Sequence, residues 1–247
     1  ADKGIKNTAL QLGLSGERAD IMRFNIEQSA QYAARMGVSV TELAEAQAQY
    51  VEETGRALLL NEASLNAIVD MGKATGLGVA QATKLAGQYE LIGINATASA
   101  EKVRGIVDMS ERMGVSATKV LKKVSENFEA INKFAFRDGV NAFSRMAMYA
   151  ERFRIDMGSM LDSAERARTL EGAVEMAAEL QIMGGEFAKT DPFELLFLSR
   201  NDPEKYQKKI NNMTKGIAAF RKTADGTFEA YISPMDLDRL EHTGAEL

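Results

Sequence analysis

The chain has 247 residues, 45% of them hydrophobic and 26% charged, which is enough for one large or two modest domains with an apolar core. Three prolines, 13 methionines and no cysteine favour helices over an all-β fold and exclude disulfides and thiolate chemistry, while a single histidine, His242, excludes sites that need two imidazoles. With 30 basic and 35 acidic residues the net charge is -5, so the whole chain lacks the basic excess that binding to a nucleic-acid backbone needs.

In the N-terminal half, apolar residues recur every three or four positions in blocks that glycines separate, a pattern typical of helices. Hydroxyl and amide side chains before the blocks are candidate N-caps, and the glycines after them are candidate C-caps. The first three predicted helices run from an N-cap at Ser15 to Gly37, from Thr41 to about Gly55, and from Asn61 or Ala63 to Gly76.

The clearest amphipathic pattern begins at Ser116 and continues to Phe134. It predicts one long helix, because apolar residues fall on one stripe while lysines and glutamates fall on the opposite one. The stripe consists of Val120, Leu121, Val124, Phe128, Ile131 and Phe134. Asn141 is predicted to cap a further helix, and the helix after that is predicted to end at the glycine pair 184–185. The inner face of the helix at Asn141 is predicted to contain Phe143, Met146, Ala150 and Phe153.

Three dipeptides combine a capping side chain with proline, which predicts an N-cap followed by the first helical residue. They lie at 191–192, 202–203 and 233–234. A turn signal at 224–227 predicts a small β-hairpin over roughly residues 217–232. The predicted fold is therefore mainly all-α, a multi-helix bundle or an irregular helical array with this hairpin near the C-terminus. We expect a helical domain with glycine-punctuated helices over 1–185 and a C-terminal helical segment over 186–247.

Part of the sequence repeats itself. The heptapeptide RMGVSVT at 35–41 recurs as RMGVSAT at 112–118, and TGLGV at 75–79 lies almost midway between them. The glycines are 39 residues apart (37 to 76) and then 38 apart (76 to 114), which suggests a helix-pair repeat. The alternative is that unrelated helix–turn–helix connections use the same residue types.

Motifs that would carry chemistry have a simpler structural interpretation. The Gly-Leu-Gly at 76–78 has neither the preceding strand nor the third glycine of a dinucleotide loop, so a helix cap is the better interpretation. The glycine pair 184–185 lacks the lysine and hydroxyl of a phosphate loop. We therefore expect no cofactor, no bound metal and no small-molecule substrate. The longest apolar runs, 57–60 and 195–198, are far shorter than the roughly 20 residues of a membrane-spanning helix.

Charge is segregated near the C-terminus. Residues 171–204 contain eight acidic and two basic side chains, whereas residues 205–222 contain six basic side chains and no acidic one. The basic stretch is a candidate surface for a partner, with anionic lipid and nucleic acid left open; the alternative is neutralisation by the preceding acidic helices. The candidate partner-binding residues are Arg200, Lys205, Lys208, Lys209, Lys215, Arg221 and Lys222.

The sequence GGEFAK at 184–189, followed by DPFELL at 191–196 and RNDP at 200–203, resembles a segment of the tape measure proteins of tailed phages. In that family a helical region is followed by such an acidic-aromatic turn and a short hairpin. The MGVS turns at 36–39 and 113–116 are similar to those in the alanine-rich helical regions of the family, so the resemblance extends over most of the chain. The start at Ala1, without an initiator methionine, leads us to expect a processed product or an excised part of a longer chain.

This resemblance implies a structural virion protein that is not an enzyme. Tape measure proteins lie inside the tail tube, set its length during assembly and leave with the genome at infection. The implied partners are further copies of the chain or a ring of tail-tube or baseplate-hub subunits. The implied location is the tail lumen or the tail tip, and the host cytoplasm during assembly.

Two other functions are left open. A bacterial helical adaptor that binds a partner protein would share every compositional feature described above. Some tape measure proteins also carry peptidoglycan-cleaving domains, which use a catalytic glutamate in a Glu-Ser helix end. Here Ser110-Glu111 has the reverse order, and no glycine-aromatic groove motif follows it.

Overall fold

The computed structural model of the chain describes residues 2–134, 136, 139–153, 156–183, 185–214, 219–222 and 228–231. This part of the chain is mainly helical, as predicted. Its elements are α1 (Asp2–Gln11), α2 (Glu17–Arg35), α3 (Val40–Thr54), α4 (Glu62–Thr75), α5 (Gly78–Leu91), α6 (Ala96–Met113), α7 (Ala117–Glu126), α8 (Ala130–Lys133), α9 (Gly139–Phe153), α10 (Met157–Arg166), α11 (Leu170–Met183), a 3₁₀-helix (Gly185–Lys189), α12 (Pro192–Asn201), α13 (Pro203–Thr214), β1 (Ala219–Lys222) and β2 (Phe228–Tyr231).

The chain forms two compact units. The first consists of Ala1–Arg112 and Ser116–Ser125, and the second of Met113–Val115 and Glu126–Leu247. The boundary expected from the sequence, between residues 185 and 186, falls inside the second unit, where α11 packs against both the 3₁₀-helix and α12.

The first unit is a stack of helix pairs. Helix α1 packs on α3 and α3 on α5, while α2 packs on α4, so each of the first three helices contacts the one two positions along the chain. A glycine in the left-handed region, with φ between 63° and 82°, follows each of the first six helices. These glycines are Gly13, Gly37, Gly55, Gly76, Gly93 and Gly114, which include the three whose spacing suggested the repeat.

The repeat extends to the buried positions of the stacked helices. When α2, α4 and α6 are aligned on the glycines that follow them, the same three positions are buried in each helix, and the third position always carries a small residue. The aligned sets are Ile26, Leu65 and Val103; Ser29, Ile68 and Ile106; and Ala33, Gly72 and Ser110. The spacing of about 38 residues therefore describes a helix-pair repeat with a common core.

The N-caps predicted at Asn61, Asp191 and Asp202 are confirmed, whereas α3, predicted from Thr41, begins at Val40 with Ser39 as its N-cap. Ser39 and Glu42 form a capping box at α3, where the Glu42 amide donates to Ser39 Oγ at 3.2 Å and the Ser39 amide donates to Glu42 Oε2 at 2.8 Å. The caps of the other three helices accept from backbone amides: Asn61 from Ser64 at 2.9 Å, Asp191 from Phe193 at 2.9 Å and Asp202 from Lys205 at 3.1 Å.

The prediction at Ser15 is wrong. Gly16, with φ 55°, lies between Ser15 and the first helical residue, Glu17, and it occupies the N-cap position without a side chain. Its backbone carbonyl accepts from the amides of Ala19 and Asp20. Helices α1, α5 and α6 were not among the predicted elements.

The single helix predicted from Ser116 to Phe134 is divided in two. Helix α7 ends at Glu126, a turn follows, and α8 begins at Ala130. Gln88 of α5 explains the break, because its Nε2 donates to the Ser125 carbonyl at 3.0 Å and its Oε1 accepts from Ser125 Oγ at 2.9 Å. The Ser125 carbonyl, which would accept from the Glu129 amide if the helix continued, is therefore bonded to α5. The apolar stripe is buried on both sides of the break, except that Ile131 is half-buried.

Two predictions after residue 134 are also corrected. Helix α9 begins at Gly139, so Asn141 lies in its first turn and is not its N-cap, although the inner face at Phe143, Met146 and Ala150 is buried as predicted. The following helix is in fact two helices, α10 and α11. Thr169 lies between them, and its Oγ1 accepts from the Gly172 amide at 3.0 Å to cap α11.

The two strands lie near the C-terminus. They pair antiparallel, with Ala219 opposite Tyr231 and Lys222 opposite Phe228. The predicted turn at 224–227 and the helix start at 233–234 lie outside the described residues. The hairpin as a whole therefore stays a prediction.

Candidate partner-binding surface

The described lysines of the basic stretch each contact a carboxylate of the acidic stretch that precedes them. The pairs are Lys205 with Asp202 at 3.4 Å, Lys208 with Glu204 at 2.7 Å and Lys209 with Glu194 at 2.6 Å. Such partly exposed ion pairs contribute at most about 1 kcal/mol each. These contacts agree with the alternative interpretation, in which the basic stretch is neutralised within the chain. A binding role for the stretch stays a prediction.

The other four candidates do not join this cluster among the described side chains. Arg200 Nε donates to the Arg168 carbonyl at 2.7 Å, which ties the end of α12 to the link between α10 and α11. The backbone of Arg221 and Lys222 lies on β1, but their side chains and all of Lys215 lie outside the described part of the chain.

An open depression of about 440 Å³ lies between α12 and α13. Leu198 and Met213 supply apolar atoms to its wall, and three predicted binding residues, Lys205, Lys208 and Lys209, line it together with Glu194 and Asn212. The structure thus brings three of the seven candidates to one surface, where each ammonium group pairs with a carboxylate.

A well-enclosed ion pair of this region joins α9 to α13. Arg145 holds Glu204 with two hydrogen bonds, from Nε to Oε1 at 3.2 Å and from Nη2 to Oε2 at 3.1 Å, and the Glu204 side chain is only 14% exposed. Burial opposes ionisation of Glu204, but the hydrogen bonds from Arg145 and Lys208 outweigh it and hold its pKa below the ordinary value. Glu204 also lies in the first turn of α13, where the helix dipole favours a negative charge.

We expect Glu204→Gln to lower the free energy of unfolding by about 2 kcal/mol at pH 7, because it weakens a paired, charge-assisted contact. A carboxyl whose pKa is lower in the folded chain than in the unfolded chain makes its full contribution to stability at pH values above its ordinary pKa of 4.5. That contribution is lost as the pH falls through the pKa that the carboxyl has in the folded chain. Urea unfolding from pH 7 to pH 3 should show the difference between wild type and variant shrinking with acid.

Glu194→Gln is the matched control for this prediction. Its carboxylate also contacts a lysine, but the side chain is 46% exposed, so its effect should stay below about 1 kcal/mol. If the difference in unfolding free energy between wild type and Glu204→Gln is unchanged at low pH, the prediction that Glu204 is ionised in the folded chain is contradicted.

Exposed apolar side chains on α11 and α12 form a feature that the sequence analysis missed. Leu170, Val174 and Ile182 of α11 are 52%, 47% and 69% exposed, and Phe193 and Phe197 of α12 are 66% and 64% exposed. A signal was available, because the α11 sequence LEGAVEMAAELQIM has apolar residues on more than one face of the helix.

Comparison of the chain with protein-family models, curated proteins and solved structures gave no match. None of the described helices has both the length and the apolar character needed to cross a membrane. Within the same described ranges, no three histidine or carboxylate side chains cluster so as to hold a metal ion.

Proposed function

We propose that the chain is a structural virion protein, a folded segment of a phage tail tape measure protein that acts in tail assembly, tail-length determination and genome ejection. The resemblance of residues 184–203 and of the two MGVS turns supports this assignment. In this role the chain is not an enzyme and needs no cofactor. It works through contacts with further copies or with a ring of tail-tube or baseplate-hub subunits, in the tail lumen or at the tail tip.

The observation that carries the proposal is the set of large apolar side chains exposed on otherwise well-packed helices, since such surfaces serve contacts between proteins. A single helix of 247 residues would extend over roughly 370 Å, at 1.5 Å per residue. The helices here are short and stacked instead. Within the proposal, this segment therefore contributes contacts to the assembled tail and does not itself measure length.

Purified tailed particles from the source of this sequence test the assignment. Peptides covering residues 1–247 are expected in the tail fraction by mass spectrometry, and an in-frame deletion of this region should abolish tails or alter their length in electron micrographs. Restoring the region from a plasmid is the control. Absence of these peptides from particles with complete tails would overturn the assignment.

A helical adaptor is the second candidate, and the stacked helix pairs of the first unit favour it. Arrays of this kind present extended surfaces to partner proteins. An adaptor would be found free in the cell as a stable monomer bound to one partner, and not in particles. The peptidoglycan-cleaving alternative has less support, because Ser110 is fully buried on α6 whereas Glu111 is exposed.

A further inference from the structure

Helix α11 has two apolar faces, of which only one is covered. Its inner face is buried in the second unit through Ala173, Met176, Ala177 and Leu180. Its outer face carries side chains that are between 47% and 69% exposed. Because an amphipathic helix normally buries its apolar residues on one face, the second, exposed apolar face is suited to a further contact.

The outer face has the geometry of a helix-packing surface. Leu170, Val174, Ala178 and Ile182 follow one another at intervals of four residues, and we call this row the outer ridge. Rows spaced by four are the ridges that pack into the grooves of a second helix, most often at a crossing angle of about −50°. Ala178, in the middle of the row, permits close approach of the partner backbone.

A row of acidic residues runs beside the outer ridge. Glu171, Glu175 and Glu179 each follow a ridge residue directly. Arg166 binds Glu179 through two hydrogen bonds of 2.7 and 2.9 Å and reaches Glu175 at 3.4 Å, while Glu171 is exposed. Arg166 thus reaches two of the three carboxylates, and the exposed Glu171 and Glu175 give the flank of the ridge negative charge.

The negative charge of the acidic row favours some partners for the outer ridge over others. The chain's own segment 233–247 has four acidic residues, Asp236, Asp238, Glu241 and Glu246, against the single base Arg239. Like charges disfavour its docking beside the acidic row. A helix with an apolar stripe flanked by lysine or arginine would match both the ridge and the row.

We propose that the outer ridge of α11 is a docking surface for a basic amphipathic helix of a partner protein. The ridge supplies apolar contact area, and the acidic row orients the partner and selects one that carries positive charge. The inference does not depend on the tail assignment, because the same surface would serve a tail subunit or a cellular protein.

A synthetic peptide tests the proposal. The probe is a labelled 18-residue helical peptide with leucine at every fourth position and lysine on both flanks, titrated with the full chain and followed by fluorescence anisotropy. Its control is the same peptide with every lysine replaced by glutamate. We expect the basic peptide to bind at least about tenfold more tightly, and its affinity to fall with added salt because the charges are exposed.

Variants of the ridge locate the site. Val174→Lys with Ile182→Lys should weaken binding of the basic peptide at least about tenfold, because apolar contacts are lost and a repelling charge is added. Glu171→Gln with Glu175→Gln should weaken it about threefold and reduce the salt dependence. All four side chains are exposed, so circular dichroism should show unchanged helix content and unfolding temperature.

Leu10→Lys with Leu91→Lys is the matched control, since these side chains are 67% and 48% exposed but lie on α1 and α5 of the first unit. It should leave binding unchanged. Equal binding of the acidic and basic peptides, or full binding by the ridge variant, would overturn the proposal. Sedimentation that shows self-association of the wild type, abolished by Val174→Lys with Ile182→Lys, would also overturn it and identify a second copy as the occupant.

Discussion

Replacing Gly72 by alanine should destabilise the first unit by about 3 kcal/mol, even though alanine is the better helix former. A Cβ at this position would lie 2.8 Å from the carbonyl carbon of Gly78 and 3.0 Å from the amide nitrogen of Val79. Both are backbone atoms, so no side-chain rotation relieves the overlap. Thermal unfolding followed by circular dichroism should show a midpoint lower by roughly 8 °C.

The close approach at Gly72 follows from the length of one connection. Helix α4 ends at Thr75 and α5 begins at Gly78, so only Gly76 and Leu77 separate them. Longer connections follow the helices that carry Ala33 and Ser110, the aligned residues with a Cβ.

Gly105→Ala in the middle of α6 is the control for this prediction, since a Cβ at that position would meet no atom of another element within 4 Å. It should leave stability unchanged or raise it by about 0.5–1 kcal/mol, as expected for glycine to alanine in an open helix position. If Gly72→Ala behaves like Gly105→Ala, the packing of α5 against α4 is not as close as described.

Gln47→Met should lower the free energy of unfolding by about 3 kcal/mol. Gln47 is fully buried on α3 and holds the extended segment between α3 and α4: its Nε2 donates to the Leu58 carbonyl at 2.9 Å, and its Oε1 accepts from the Leu60 amide at 2.7 Å. Methionine has a similar shape but leaves both backbone groups unpaired, and each unpaired buried group costs about 1–3 kcal/mol.

Gln49→Met on the same helix is the matched control, because Gln49 is half-buried. Its effect should stay below about 0.5 kcal/mol. Limited trypsin digestion gives a second measurement, since cleavage at Arg56 should become roughly tenfold faster in Gln47→Met once the segment is released. Equal effects of the two substitutions would show that the hydrogen bonds of Gln47 do not hold this segment.

The role of Gln47 could not be predicted from the repeat. The aligned positions on α5 and α7 are Ala86 and Val124, both buried. A glutamine at a core position can be interpreted only once the extended segment 56–61 is known to lie beside it. The pairing of Lys209 with Glu194 could not be predicted either, because it joins two helices and no sequence motif specifies it.

The sequence by itself determined the mainly helical fold, the caps at Asn61, Asp191 and Asp202, and the glycine turns of the repeat. Caps and left-handed turns depend on hydrogen bonds and dihedral angles within a few residues, so neighbouring side chains encode them. Only the tertiary structure decided where α7 ends, which lysines are paired and which face of α11 stays open. Each of these depends on side chains from distant parts of the chain, such as Gln88 at the end of α7, and periodicity within one helix does not report what packs against it.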